Sequence, residues 1–244
     1  MISTSETGHI KNVSFFEDLI TYCQSYGPAY NPSNDMFKLP QLQTKMTAAQ
    51  TAINNLKIKK TSFDNATNAR RTVFEDIKRL STRIINALIV SGASELTIAD
   101  ARGINKKMQG SSSKKTESST TETESTSVPK SISTSQQSYD RIKDHLANFI
   151  QVLQQEPTYN PNENDLKIAY LQTKVTQLET AKTQWINAYT EYSNTMIDRN
   201  NVMYDKNEGM VNIAIKVKLY IKSLFGAKSP QYFQISNLHF KNYK

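Results

Sequence analysis

The sequence predicts an all-α protein: a duplicated, antiparallel helical bundle of about three helices per repeat, with spectrin-like or four-helix-bundle-like packing. Three observations point there. Gly and Pro number only seven each in 244 residues, and Ala, Gln, Lys, Leu and Glu fill the long stretches between them, a helix-forming composition. Apolar residues recur at alternating steps of four and three, the stripe that packs helices side by side. Finally, AYNPSNDMFKLPQLQTK at Ala29–Lys45 returns as TYNPNENDLKIAYLQTK at Thr158–Lys174, with eight identities in seventeen positions at a fixed offset of 129. A repeat of this length sets the architecture before any local reading.

In chain order, residues 1–11 read first, as a flexible N-terminal tail. FFEDLITYCQSYG at Phe15–Gly27 is amphipathic, with Phe15, Leu19, Ile20, Tyr22 and Cys23 at helical spacing. The corner after it holds Asn31 and Pro32; a residue before proline avoids helical angles, so the helix stops here. Ser33 is the candidate N-cap of the next helix. A seam then runs from Leu42 through Met46, Ala49, Ile53, Leu56, Phe63, Arg70, Phe74, Ile77 and Ile84 to Leu88.

Unbroken, such a seam makes a helix of about 75 to 80 Å at 1.5 Å per residue. The run KKTSFDNATN at Lys59–Asn68 weakens it, because Ser, Thr, Asn and Asp compete for backbone hydrogen bonds. The expectation is therefore a hairpin of two helices, each about 25 residues, that buries its seam within the copy. The continuous alternative needs a partner chain to cover it. SGAS at Ser91–Ser94 is the helix-ending punctuation, succeeded by a weak helix start at SELTIAD.

After this first repeat, residues 12–108, comes a Ser/Thr-rich segment at 109–137 almost free of large apolar groups. Its composition predicts a disordered linker. The second repeat, 138–244, begins with Ile142, Leu146, Phe149, Ile150 and Leu153 at helical spacing and turns at Asn160 and Pro161. Asn162 is the candidate cap, with Asp165 as a weak capping-box partner. The second seam runs from Leu171 through Trp185, Tyr189, Tyr192, Arg199, Met203 and Met210 to Leu224. It weakens at TEYSNTMIDRNN, Thr190–Asn201, and ends at Gly226. Ser229 before Pro230 reads as the N-cap of a short last helix.

Charge is uneven. The chain carries +8 overall, and Lys216, Lys218, Lys222, Lys228, Lys241 and Lys244 lie in a stretch from Met210 onward that holds no acid. These lysines are the candidate contacts for nucleic acid or another polyanion. Aromatics interleave with them, among them Tyr220, Tyr232, Phe233, Phe240 and Tyr243. At helical spacing such residues are core, whereas those beyond Ser236 are free to stack on bases. Arg70 and Arg199 occupy the same place in both seams, as candidate positions for a buried anion or an ion pair.

Little points to catalysis. His9, His145 and His239 are isolated, Cys23 is alone, and no phosphate loop, nucleophile elbow or paired Glu/His metal spacing occurs. No cofactor is expected. The longest apolar run, INALIV, falls far short of the roughly 20 residues that span a bilayer, and the start of the chain lacks the pattern of a secretory signal. A cytoplasmic location is the expectation.

TYNPNENDLKIAYLQT together with VKLYIKSLFGAKSPQYFQISNLHF resembles a family of uncharacterised bacterial helical proteins, with an NPNE-type corner and an FGxxSPQYxQxxxLxF-like ending. The likeness spans Thr158–Phe240, and the first copy is a diverged instance that lacks the SPQY ending. The resemblance implies the fold and the duplication and no assigned activity. Function is thus expected to be non-enzymatic, a structural or protein-interaction role with an unidentified protein partner or a second copy. Polyanion binding through the basic C-terminal end is the alternative, and a membrane-active bundle the lesser one.

Overall fold

The computed structural model describes residues 4–110 and 138–243, and every regular element among them is helical. Most of the predicted linker, residues 111–137, lies outside the described residues, as does Lys244. The α-helices are α1 (Thr4–Ser25), α2 (Leu39–Glu75), α3 (Ile77–Val90), α4 (Glu95–Gln109), α5 (Tyr139–Gln154), α6 (Ile168–Tyr204), α7 (Met210–Phe225) and α8 (Pro230–Ser236). Among the described residues four therefore lie before position 111 and four after position 137, rather than about three per repeat. No described helix is long and apolar enough to cross a membrane.

Several expectations are corrected. Helix α1 starts at Thr4, because His9 and Asn12 are buried and Val13 and Phe16 join the core, so residues 4–11 of the predicted tail are helical, and residues 1–3 lie outside the described residues. Phe16 rather than Phe15 is fully buried; Phe15 packs edge-on against Phe240, ring centres 6.2 Å apart. Gln109 belongs to α4, its side-chain amide donating to the Lys78 carbonyl at 2.7 Å.

The largest correction concerns the seams. Neither breaks where Ser, Thr and Asn cluster: α2 and α6 each run 37 residues without interruption, about 55 Å at 1.5 Å per residue. The hydroxyls that argued for a break bond back to the preceding turn instead, Thr61 to the Lys57 carbonyl at 3.0 Å and Thr195 to that of Glu191 at 2.8 Å. Lys60 and Asp64 add an i,i+4 ion pair at 2.8 Å. The polar clusters sit on solvent faces, where they satisfy their own hydrogen bonds without unwinding the helix.

The breaks fall later. The second comes after Tyr204, where the Asp205 carboxylate accepts from the N–H groups of Asn207 and Glu208 at 2.8 and 2.9 Å. Gly209 closes that turn so tightly that a Cβ there would meet the Asp205 backbone nitrogen at 2.4 Å.

The corners also differ from expectation in detail. A 3-10 turn stands between each Asn-Pro corner and its long helix, Asp35–Phe37 and Asn164–Leu166, so neither Ser33 nor Asn162 caps a long helix. Asn34 caps the first turn by accepting from Met36 N–H at 3.0 Å. Asp165 is not a capping partner; both its oxygens take the Arg83 guanidinium, one at 3.1 Å, which holds the carboxyl below its ordinary range. Ser229 does cap α8, accepting from Tyr232 N–H at 3.1 Å, and Ser94 caps α4 in the same way through Thr97.

Two compact units result: Met1–Asn65 with Ile186–Lys244, and Ala66–Trp185. Each draws on both sequence copies. In the first unit Phe16, Leu19 and Cys23 of α1 and Leu42, Ala49 and Ile53 of α2 pack with Met203 of α6 and Met210, Ile213 and Val217 of α7. In the second, Phe74 of α2 and Ile77, Ile84 and Leu88 of α3 pack with Leu146 and Phe149 of α5 and Leu171 and Leu178 of α6. The front of each seam is thus covered by the back of the other, and the seams do not fold into hairpins within their own copies.

Candidate functional site

Ile58 of α2 is 62% exposed although its neighbours Ile53 and Leu56 are buried, and it marks a groove in the first unit. Residues 40–59 of α2 and Thr195, Asp198 and Val202 of α6 enclose about 1090 Å³, open to solvent. The α2 wall is built from short side chains, Thr44, Thr47, Ala48, Thr51 and Ala52, which recur every three or four residues and so share one helix face. Small residues along a helix let a second helix approach closely, within about 8 Å of its axis.

Lys59 closes one end of the groove, held at 2.7 Å by Glu191, so its charge is largely answered within the protein. Just beyond, Phe63 lies parallel to Tyr192, ring centres 5.8 Å apart, and tilted against Tyr189 at 5.5 Å. Tyr189 and Ile197 remain 48% and 56% exposed. The heptad spacing puts Tyr189 and Tyr192 on the seam but does not reveal the groove, because a heptad count does not tell which outer face stays uncovered.

The predicted lysines are dispersed: Lys216, Lys218 and Lys222 lie on α7, Lys228 in the turn before α8 and Lys241 in the segment after it, while Lys244 lies outside the described residues. Lys218 is not a free surface cation: its ammonium donates to the Ser236 and Leu238 carbonyls at 3.1 and 2.7 Å, and burial pushes its pKa down. Lys222 lies over the Tyr232 ring at 5.6 Å. Lys216, Lys228 and Lys241 are exposed; the main chain of Lys241 is fixed by Asn12, whose amide nitrogen donates to its carbonyl at 2.7 Å.

The two seam arginines part ways. Arg199, in the first unit, is 5% exposed and donates from Nε and Nη2 to Asn200 Oδ1 at 3.2 and 2.9 Å. Arg70, in the second, is half-buried, with its Cζ 3.8 Å from the Trp185 ring centre and 4.5 Å from that of Tyr139. Trp185 is in turn fixed by donating its indole N–H to Thr67 at 3.0 Å.

The corner residues serve the fold. Pro32 is buried while Asn31 is exposed. Asn160 and Pro161 line a shallow cleft of about 590 Å³ in the second unit with Arg83, Ser91 and Thr158.

One buried polar cluster has no signature in the sequence. His9 is 1% exposed, and its Nδ1 pairs with the Tyr204 hydroxyl, which also accepts from Asn12 at 3.3 Å. Tyr243 lies edge-on to His9 at 5.8 Å and fills the space a side chain on Gly8 would need. The tail aromatics that were free by sequence are thereby spent on α1. A chain separation of 195 residues between His9 and Tyr204 leaves no local signal for the cluster.

Burial lifts the Cys23 thiol to about 12, so it stays protonated. Among the described residues no group of three or more His, Cys, Asp and Glu side chains is placed to hold a metal ion. The arrangement defines an all-helical protein with an open helix-lined groove. No family model, curated protein or solved structure matches the chain.

Proposed function

We propose that the chain is a non-enzymatic helical scaffold, built by duplication of one helical unit, that works by binding another protein along the groove of α2 and α6. The supporting observation is the exposed apolar and small-residue face from Thr44 to Ile58. Its small uncharged side chains, with Lys59 and Asp198 as opposite charges in the lining, suit an amphipathic helix read through contacts at i, i+4 and i+7. The duplication rests on the repeated corner, on two 37-residue helices that each succeed a 3-10 turn, and on the Tyr30 and Tyr159 bonds that recur in both.

The test is affinity capture from the native cell with the intact protein and with Ala48→Arg, which fills the groove from an exposed position. A partner held by the wild type and lost from the variant, at equal thermal stability, supports the reading. A partner held equally by both sinks it. A light-scattering mass of twice the chain would make a second copy the occupant.

Polyanion binding is the second reading, favoured by the exposed Lys216, Lys228 and Lys241 in a region without acids. Its test is retention on heparin, which falls steeply with salt where several lysines neutralise phosphate or sulfate.

A further inference from the structure

Arg70 is a cation without a counter-ion. Among the described residues it makes no ion pair and no hydrogen bond; its contacts are the rings of Tyr139 and Trp185. Its Nε is buried with no acceptor. The carboxylates of the neighbouring helices are already committed, Asp140 to Lys182 at 2.9 Å and Glu179 to Lys143 at 2.6 Å. The protein has therefore placed a guanidinium and withheld the acceptor that would normally answer it.

Aromatic rings attract the face of a guanidinium, but they do not accept its in-plane N–H groups. A guanidinium also keeps its charge throughout the physiological range. Two rings fix the plane while the terminal nitrogens, unlike Nε, are not sealed from solvent. Trp185 cannot swing away freely, because its indole N–H is tied to Thr67 at 3.0 Å. Such a pre-oriented fork matches the two oxygens of a carboxylate or phosphate, since little side-chain freedom is left to lose on binding. Arg199 supplies the contrast: the same seam position in the other copy is buried and finds its acceptor in Asn200.

We propose that Arg70 is an anion-binding position, taking a small oxyanion of the carboxylate or phosphate type end-on through Nη1 and Nη2, with Tyr139 and Trp185 as its orienting walls. Trp185 is the only tryptophan in the chain, so its fluorescence reports on this position alone. The intact protein is titrated with sodium phosphate, sodium acetate and sodium chloride at one pH and matched ionic strength. A saturable change in emission with phosphate or acetate, absent with chloride, is the expected result, and the stronger of the two arms identifies the class. Arg70→Lys keeps the charge and loses the fork, so it should weaken the response at least tenfold. Superimposable titrations with all three salts overturn the proposal, as does an Arg70→Lys protein that responds like the wild type. If that variant fails to fold, the comparison of the three salts on the wild-type protein still decides.

Discussion

The Tyr159 hydroxyl donates to the carbonyl of Leu166 at 2.8 Å, and Tyr30 repeats the bond to Phe37 at 2.6 Å in the other copy. Each tyrosine belongs to the YNP corner, is largely buried, and reaches across the bend to the last residue of the 3-10 turn before the long helix starts. Tyrosine therefore fastens a corner that proline only opens. Tyr159→Phe removes the donor and strands a buried carbonyl, which costs about 1 to 3 kcal/mol. Denaturant unfolding should show that loss for Tyr159→Phe and for Tyr30→Phe, with far-UV helix content unchanged.

Gly209 and Gly103 should respond to alanine in opposite directions. At Gly209 the new Cβ meets the Asp205 backbone at 2.4 to 2.5 Å, where nothing flexible gives way. At Gly103, inside α4, it meets nothing within 4 Å. Gly103→Ala should stabilise by about 0.5 to 1 kcal/mol through helix propensity. Gly209→Ala should destabilise by more than about 2 kcal/mol, the scale of overpacking against atoms that cannot yield. Thermal melts of both variants against the wild type measure the sign.

Stability should fall with acid through His145. Its Nε2 is buried without a partner; burial first, then Lys107 and Arg141, push its pKa below the ordinary imidazole value, with Asp144 opposing weakly. The folded pKa lies below the unfolded one, so the unfolded chain takes the proton first. The contribution is complete above about pH 6.5 and is lost as pH drops towards the folded value, at no more than about 1.4 kcal/mol per pH unit for one proton. Denaturation midpoints from pH 8 to pH 5 should slope less in His145→Leu than in the wild type.

Lys218 separates a structural from a binding role for the basic end. Its ammonium ties the carbonyls of Ser236 and Leu238 to α7. Lys218→Ala should speed amide exchange over residues 236–241 while leaving heparin retention close to that of the wild type. Lys216→Ala with Lys228→Ala should do the reverse. Equal loss of retention in both proteins would place Lys218 among the polyanion contacts.

Much of this architecture was legible in the chain. Scarce Gly and Pro, the heptad stripe, the repeated YNP corner and the Ser229–Pro230 start of α8 each act through bonds between near neighbours, and near neighbours are what a sequence displays. The placement of Ile53 and Met203 in one core was not legible. A stripe of period 3.5 states that a helix face must be covered, and it does not state by what. The hydroxyls of Thr61 and Thr195 compete for backbone hydrogen bonds, but within an intact helix the carbonyls of the preceding turn satisfy them. Tertiary packing made the choice: it kept both helices whole and covered each seam with the other copy. It also left one arginine buried against Asn200 and the other over two rings with no acceptor. Local chemistry determined the helices and their ends, while the cover for each seam was decided by contacts between residues far apart in the chain.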